Sequence, residues 1–300
     1  MFARRHPFLF FLCVICACFT LGLLALSGVA VLGAIAVNSE ISGAIASSRG
    51  NIGVVEVTGP IISSKKIIKD IQGFKDDDTI KAIILRVDSP GGGIGPSQEI
   101  YRELLKTRDA KTVIASMGSV AASGGYYIAC ATQGIVANSG TITGSIGVIM
   151  EYANLEQIAK KIGISPVVIK SGEYKDMGSP TRELKESEKK LFQNLVDELH
   201  AQFVSDAAAA RNMETDAMAK LADGRVYTGQ TAMKLKLVDR IGNMDDAVQW
   251  AGQMAGIEGE LTPVYPKEDK ITLFRRLAET LLQDVNWGSS LSESFRYVFN

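Results

Sequence analysis

Ser116-Met117-Gly118-Ser119-Val120-Ala121-Ala122-Ser123-Gly124-Gly125-Tyr126-Tyr127-Ile128-Ala129-Cys130 is the stretch on which the fold turns. The apolar run Thr112 to Ala115 precedes it and reads as a buried strand. The run leads into a segment of small residues that can be helical after its glycines, and a helix is expected over 120–131. A serine at such a junction stands where free backbone N–H groups favour negative charge. Gly124 and Gly125 leave room for a substrate backbone. Two readings are open on these residues alone. Ser123 is a nucleophile, or the stretch is a close-packed helix with small residues at its contacts.

Strand and helix patterns alternate on either side of it. Ile52 to Val57 reads as a strand, and Lys65 to Phe74 has apolar residues at helical spacing. Ile80 to Val87 is a second strand, 96–107 a second helix, and Ile135 to Ala137 a further strand. Val167 to Ile169 is expected to add another. Near-continuous apolar strands joined by helices predict an α/β fold with a parallel sheet. Beyond it, Thr181 is expected to open a long helix, with Ser179-Pro180 as its start. Leu184, Leu191, Leu195, Leu199 and Phe203 form one stripe along it and predict a helix that covers core. Residues 214–256 read as a turn, a short helix and a last strand near Leu237-Val238-Asp239. Arg225 there could reach a substrate carboxylate, but a surface or fold-internal salt bridge is the expected reading.

Two further segments bear on chemistry. Ile83-Ile84-Leu85-Arg86-Val87-Asp88-Ser89-Pro90-Gly91-Gly92-Gly93 is a strand that ends in a glycine turn, and such a turn can present backbone N–H groups to an oxyanion. Lys170-Ser171-Gly172-Glu173-Tyr174-Lys175-Asp176-Met177-Gly178-Ser179-Pro180 is a polar loop. On its residues alone Lys175 is an exposed loop lysine, and Glu173 and Asp176 beside it would hold its proton on. Together the motifs S-P-G-G-G, M-G-S-x-A-A-S-G-G-Y-Y, T-G-S-x-G-V (Thr143 to Val148) and S-G-x-x-K-D (Ser171 to Asp176) resemble the signal peptide peptidase A family, in its short form. The resemblance runs from about Asn51 to Gly256.

That resemblance implies a Clp/crotonase-like α/β fold, built of repeated β-β-α-type units in a parallel sheet, and a membrane-anchored Ser–Lys serine peptidase. It places the nucleophile on Ser123 and the general base on Lys175. The serine that orients the lysine falls on Ser145, and the oxyanion N–H groups fall on Gly92 and Gly124. It implies remnant signal peptides as substrates, with general turnover of envelope proteins as the alternative. It also implies a homo-oligomeric ring, in which the Lys175 loop is ordered by a neighbour and meets the neighbour's Ser123. A crotonase-like acyl-CoA enzyme would use the same N–H groups without serine or lysine, and an inactive scaffold would have lost the nucleophile. The apolar N-terminus argues against the first, and intact Ser123 and Lys175 against the second.

The totals narrow the chemistry. The chain has 300 residues, a formal net charge of −1, two histidines and four cysteines. No basic footprint for nucleic acid is present. His6 and His200 leave a Ser–His–Asp triad one remote candidate, whereas a lysine base needs no histidine. Cys13, Cys16 and Cys18 lie in the apolar run, which leaves Cys130 alone in the remainder. No disulfide framework or zinc spacing follows from these, and no metal or cofactor is expected.

Residues 1–7 carry Arg4 and Arg5, and Phe8 to Val37 is apolar almost throughout. A run of that length exceeds the roughly 20 residues a membrane helix needs, so 8–37 is expected to be an uncleaved transmembrane anchor. A cleaved signal ending at Ala44-Ile45-Ala46 is the alternative. The arginines place residues 1–7 in the cytoplasm. The family resemblance then implies a bacterial inner-membrane protein with its catalytic part outside the cytoplasm. Residues 38–50 read as a linker, 51–260 as the peptidase domain, and 261–300 as a C-terminal tail carrying an amphipathic helix.

Overall fold

The computed structural model of the chain describes residues 50–266. The expected anchor, the linker up to residue 49 and the tail from residue 267 lie outside the described residues, as do His6, Cys13, Cys16 and Cys18. The chain divides into two units, Met1–Asn51 and Ile52–Asn300, and the second is described below. Among the described residues no helix is long and apolar enough to cross a membrane.

Strand and helix alternate as the periodicity predicts. The order is β1 (Ile52–Thr58), α1 (Lys65–Asp76), β2 (Ala82–Ser89), α2 (Ile94–Arg108), β3 (Thr112–Ala122), α3 (Gly124–Cys130), β4 (Gly134–Ala137) and β5 (Ile142–Gly144). Then come α4 (Glu156–Lys161), α5 (Glu186–Ala210), α6 (Thr215–Ala219), β6 (Val226–Thr228), α7 (Gly229–Lys234), β7 (Arg240–Ile241), α8 (Met244–Met254) and β8 (Pro263–Val264). The β-β-α order occurs at β4–β5–α4. The sheet runs β6-β5-β3-β2-β1-β8, with β4 also on β3 and β7 on β4. Its pairings are parallel except β5 with β6. β8 reaches past residue 260, so the expected tail begins inside the sheet: Pro263 pairs with Ile52, whose N–H donates to the Thr262 carbonyl.

Both faces of the central strands are buried, which is why they read as unbroken apolar runs. Val55, Val57, Ile83, Leu85, Val87, Val113, Ala115 and Met117 face one cluster, with Ile71 and Phe74 of α1, Ile100 and Leu104 of α2, and Phe203 of α5. Ile52, Val54, Ala82, Ile84 and Ile114 face the other, against Ala247, Val248 and Ala251 of α8. The helix α8 is an addition to the expected elements; Met244, Ala247, Val248 and Ala251 fall on its inner face, and its start is capped: Asn243 Oδ1 accepts the N–H groups of Asp245 and Asp246, and Asp246 accepts from the Asn243 N–H.

The strand β3 is longer than the expected Thr112–Ala115, and the helix after it starts at Gly124 rather than at 120. Pairing decides this. Ser116 accepts from Arg86 Nη1 at 2.9 Å. At Gly118–Ser119 the strand bulges, so that Val87 pairs with Met117 but Ser89 with Ala121. Asp88 Oδ1 accepts the Val120 N–H at 3.0 Å and closes the bulge. The strand then pairs with β5 through Val120–Ala122, which carries it to Ser123.

Two further expectations are corrected. The long helix begins at Glu186 and not at Thr181, because Arg182 is held in an ion-pair network and the Lys185 N–H donates to Glu188 Oε2 at 3.1 Å. Its stripe is only half used: Phe203 is buried, but Leu191 and Leu195 are exposed. Leu184 precedes the helix. Val167–Ile169 forms no strand, and Val167 and Ile169 are 86% and 96% exposed. β propensity without a sheet edge to pair with makes no strand.

Candidate active site

The backbone at Ser123 has φ 53° and ψ −121°, a conformation a non-glycine residue holds only when its surroundings impose it. Those surroundings are on both sides. The Ser123 N–H donates to the Gly144 carbonyl at 2.9 Å, and the Ser123 carbonyl accepts from the Tyr127 N–H at 2.9 Å. Strand β3 therefore ends and α3 begins within one residue. Ser123 sits at that corner, half-buried.

Beside it lies the glycine turn after β2. Gly91 has φ 100°, and a Cβ there would fall 2.6 Å from the Gly124 nitrogen and 2.9 Å from Ser123 Cβ. Only glycine allows this approach. Ile61 takes up the two neighbours of Gly92: its N–H donates to the Gly91 carbonyl, and its carbonyl accepts from the Gly93 N–H. The Gly92 N–H therefore faces away from Ile61. The Gly124 N–H, first in α3, stands outside the helix's own hydrogen-bond ladder. A Cβ on Gly124 would lie 3.3 Å from the Gly92 nitrogen, so the two N–H groups are close neighbours. Sequence reasoning missed Ser97, which is buried and sets this turn. Its Oγ donates to the Gly93 carbonyl at 2.9 Å, and it lies 2.6 Å from where a Gly124 Cβ would stand.

Gly124→Ala is accordingly expected to push the turn apart, because Ser97 is already hydrogen-bonded and cannot give way. A loss of about 10²–10³-fold in kcat, the size seen when one oxyanion donor is removed, should come with little change in KM. Steady-state kinetics on a peptide substrate, with a thermal melt to show that the fold survives, checks this.

Ser145 is brought alongside. The strands pair Ala122 with Gly144, so Ser123 and Ser145 leave the sheet as neighbours. Ser145 also has a positive φ, 49°, and its N–H donates to the Arg225 carbonyl. The Arg225 side chain pairs with Asp223 on the surface, as expected. A shallow cleft opens at Ser123, walled by Ile94, Tyr127, Val148, Leu199 and Phe203 with Gly92 and Gly124 at its base. Tyr127 is fixed there by donating to Asp206 and by packing edge-on against Phe203. His200 is turned to the Ala222 carbonyl at 2.7 Å. Burial pushes the Cys130 thiol up to about 12, so it supplies no thiolate.

Lys175 is the candidate the chain does not bring to this cleft. It is exposed and absent from the cleft wall. Its loop is nevertheless held by its own chain. Asp176 accepts from Lys170 at 2.6 Å and from Arg182 Nε at 2.9 Å. Arg182 also reaches both oxygens of Glu188, at 2.6 and 2.8 Å. The Tyr152 hydroxyl lies 2.8 Å from the Arg182 carbonyl. Among the described residues no cluster of ligating side chains suits a metal ion.

A hydroxyl at a helix N-terminus can attack a carbonyl, and neighbouring backbone N–H groups can stabilise the oxyanion that forms. Residues 106–258 match the description Peptidase family S49. The chain is 44% identical to "Putative protease slr0021" of Synechocystis sp., over 84% of this chain and 92% of that protein. It is 37% identical to the chloroplastic serine protease SPPA of Arabidopsis thaliana, over 74% of this chain and 32% of that one. It is 40% identical to "Putative signal peptide peptidase SppA" of Enterococcus faecium, over 61% of this chain and 54% of that one. The protein is a serine peptidase. It belongs to peptidase family S49, the signal peptide peptidase A family.

Proposed function

We propose that this chain is a membrane-anchored endopeptidase that cuts remnant signal peptides in or at the bilayer with Ser123 as nucleophile and Lys175 as base. The observation that carries the reading is the strained corner at Ser123, with the N–H groups of Gly92 and Gly124 beside it. In the proposed reaction Lys175 Nζ takes the Ser123 Oγ proton as Oγ bonds to the scissile carbonyl carbon. The oxyanion is held by the two glycine N–H groups, and Ser145 orients the lysine. The ammonium then gives its proton to the leaving amine as the C–N bond breaks. Water, activated by the same lysine, releases the acyl group. Residues 51–260 would form the peptidase domain, 8–37 the anchor, and 261–300 the tail. With residues 1–7 in the cytoplasm, the domain would lie outside the inner membrane.

The same reading includes an assembly in which Lys175 serves a neighbour's Ser123. Two features support it: Lys175 stands away from the Ser123 cleft, and the segment leading into its polar loop exposes large apolar side chains. Ile149, Val167 and Ile169 are 86–96% exposed. Full burial of such a side chain is worth about 1.5–3 kcal/mol, so leaving three in water forgoes about 5–9 kcal/mol. A segment of this kind fits a surface on another copy.

A fluorophosphonate probe tests the nucleophile directly. It should label the full-length protein at Ser123 and leave Ser123→Ala unlabelled. Equal labelling of both, mapped by mass spectrometry, would place the nucleophile elsewhere.

A further inference from the structure

Asp176 stands next to Lys175 in the chain, and an uncompensated carboxylate there would hold the lysine protonated and idle as a base. The structure shows where that charge goes. One carboxylate oxygen accepts from Lys170 Nζ at 2.6 Å and the other from Arg182 Nε at 2.9 Å. Arg182 Nη2 also donates to the Asp176 carbonyl at 3.0 Å, so the same guanidinium grips backbone and side chain. Its remaining donors go to the Glu183 carbonyl at 2.9 Å and to Glu188, a buried carboxylate in the first turn of α5. The charged and titratable groups around this loop are Lys170, Glu173 and Tyr174 within it, Tyr152 from the preceding segment, and Arg182, Glu183, Lys185 and Glu188 from the approach to α5. Lys170 also donates to the Glu173 carbonyl at 2.7 Å.

We propose that Arg182 is a positioning residue for the Lys175 base: with Lys170 it takes up the Asp176 charge and ties the lysine loop to the start of α5. The proposal rests on Lys175 being the base. Arg182 first, and Lys170 after it, hold the Asp176 carboxyl well below its usual range, as this pairing requires. Arg182 likewise holds Glu188 down at about 2. A loop with little apolar content is thus fixed by a fork of charge-assisted bonds, which give direction as well as energy.

The test reads the pH dependence of kcat/KM on the full-length chain in detergent. A lysine base works only when neutral, so activity rises with pH through its pKa. Arg182→Gln leaves Asp176 less compensated, which favours the ammonium, and the rising limb should move up by about 0.5–1 pH unit. Asp176→Asn leaves Arg182 and Lys170 as unbalanced positive charge, so the limb should move down by about the same amount. The double variant should return toward the wild-type midpoint. A merely structural role would lower activity by one factor at every pH and leave both midpoints in place, and that result overturns the proposal. Should Arg182→Gln not fold, the isosteric Asp176→Asn decides alone by the direction of its shift. Lys175→Ala, run in parallel, separates the two readings. If it is inactive while the limbs stay fixed, only the role of Arg182 fails; if it retains wild-type turnover, the lysine base itself is wrong.

Discussion

Ser123→Ala and Lys175→Ala are each expected to lower kcat/KM by roughly 10⁴-fold or more, the scale on which a nucleophile and its base fail when either is removed. The two losses should not add. Once the hydroxyl is gone the lysine has no proton to take, so the double variant should be no slower than either single one. Lys175→Arg should be as inactive as Lys175→Ala, because a guanidinium stays protonated and cannot act as a base. Ser145→Ala should cost less, since that serine orients the lysine and touches no bond that is made or broken. Neither alanine should unfold the chain. Ser123 makes its structural bonds with its backbone N–H and carbonyl, which alanine keeps, and Lys175 is exposed. The φ of 53° is strained for alanine as it is for serine. Initial rates with a fluorogenic peptide, beside far-UV circular dichroism, check both halves of the expectation. A folded Lys175→Ala variant with wild-type turnover would falsify the dyad.

The central strands were legible because each is buried on both faces, and a run such as Ile83-Ile84-Leu85 has no competing reading once helices flank it. The corner at Ser123 was legible in kind, as a strand meeting a helix, but not to the residue. Ser116, Gly118 and Ser119 break the apolar run, and only the partners Arg86 and Asp88 on β2 show that the strand continues through them. Such a pairing is a tertiary fact without a local signal. The start of α5 was misplaced for a similar reason. Thr181 to Lys185 has nothing against helix in its composition, yet Arg182 is committed to Asp176 and Glu188. Ser97 was missed because a buried serine that bonds back to a carbonyl one turn earlier looks like any helix serine. The stripe Leu191, Leu195, Leu199 and Phe203 was legible as apolar, but periodicity does not say whether the covering surface is in the same chain. Here Phe203 finds core, Leu199 lines the cleft, and Leu191 and Leu195 face solvent.

Mixing two inactive proteins, Ser123→Ala and Lys175→Ala, is expected to restore activity where each alone has none. The expectation follows from where the chain leaves its groups. Ser123, Gly92 and Gly124 line one cleft within one subunit, with Ser145 beside Ser123 along the sheet, whereas Lys175 is exposed and lines no part of that cleft. Large apolar side chains leading into the Lys175 loop, Ile149, Ile162, Val167 and Ile169, also lack a cover. A head-to-tail contact in which this segment crosses to the next copy would bury them and deliver Lys175 together, and such contacts form a ring when the rotation between copies closes. Each interface then takes its serine from one subunit and its lysine from the other. In a ring assembled at random from equal parts of the two variants, about a quarter of the interfaces hold both wild-type residues. Recovery of about a quarter of wild-type activity is therefore expected after co-assembly, and it should fall on dilution as mass action dissolves the ring. Fluorescence exchange between labelled subunits shows whether mixing has occurred. If the subunits exchange and the mixture remains inactive, Lys175 serves the Ser123 of its own chain, and the exposed segment must fold back over its own cleft instead.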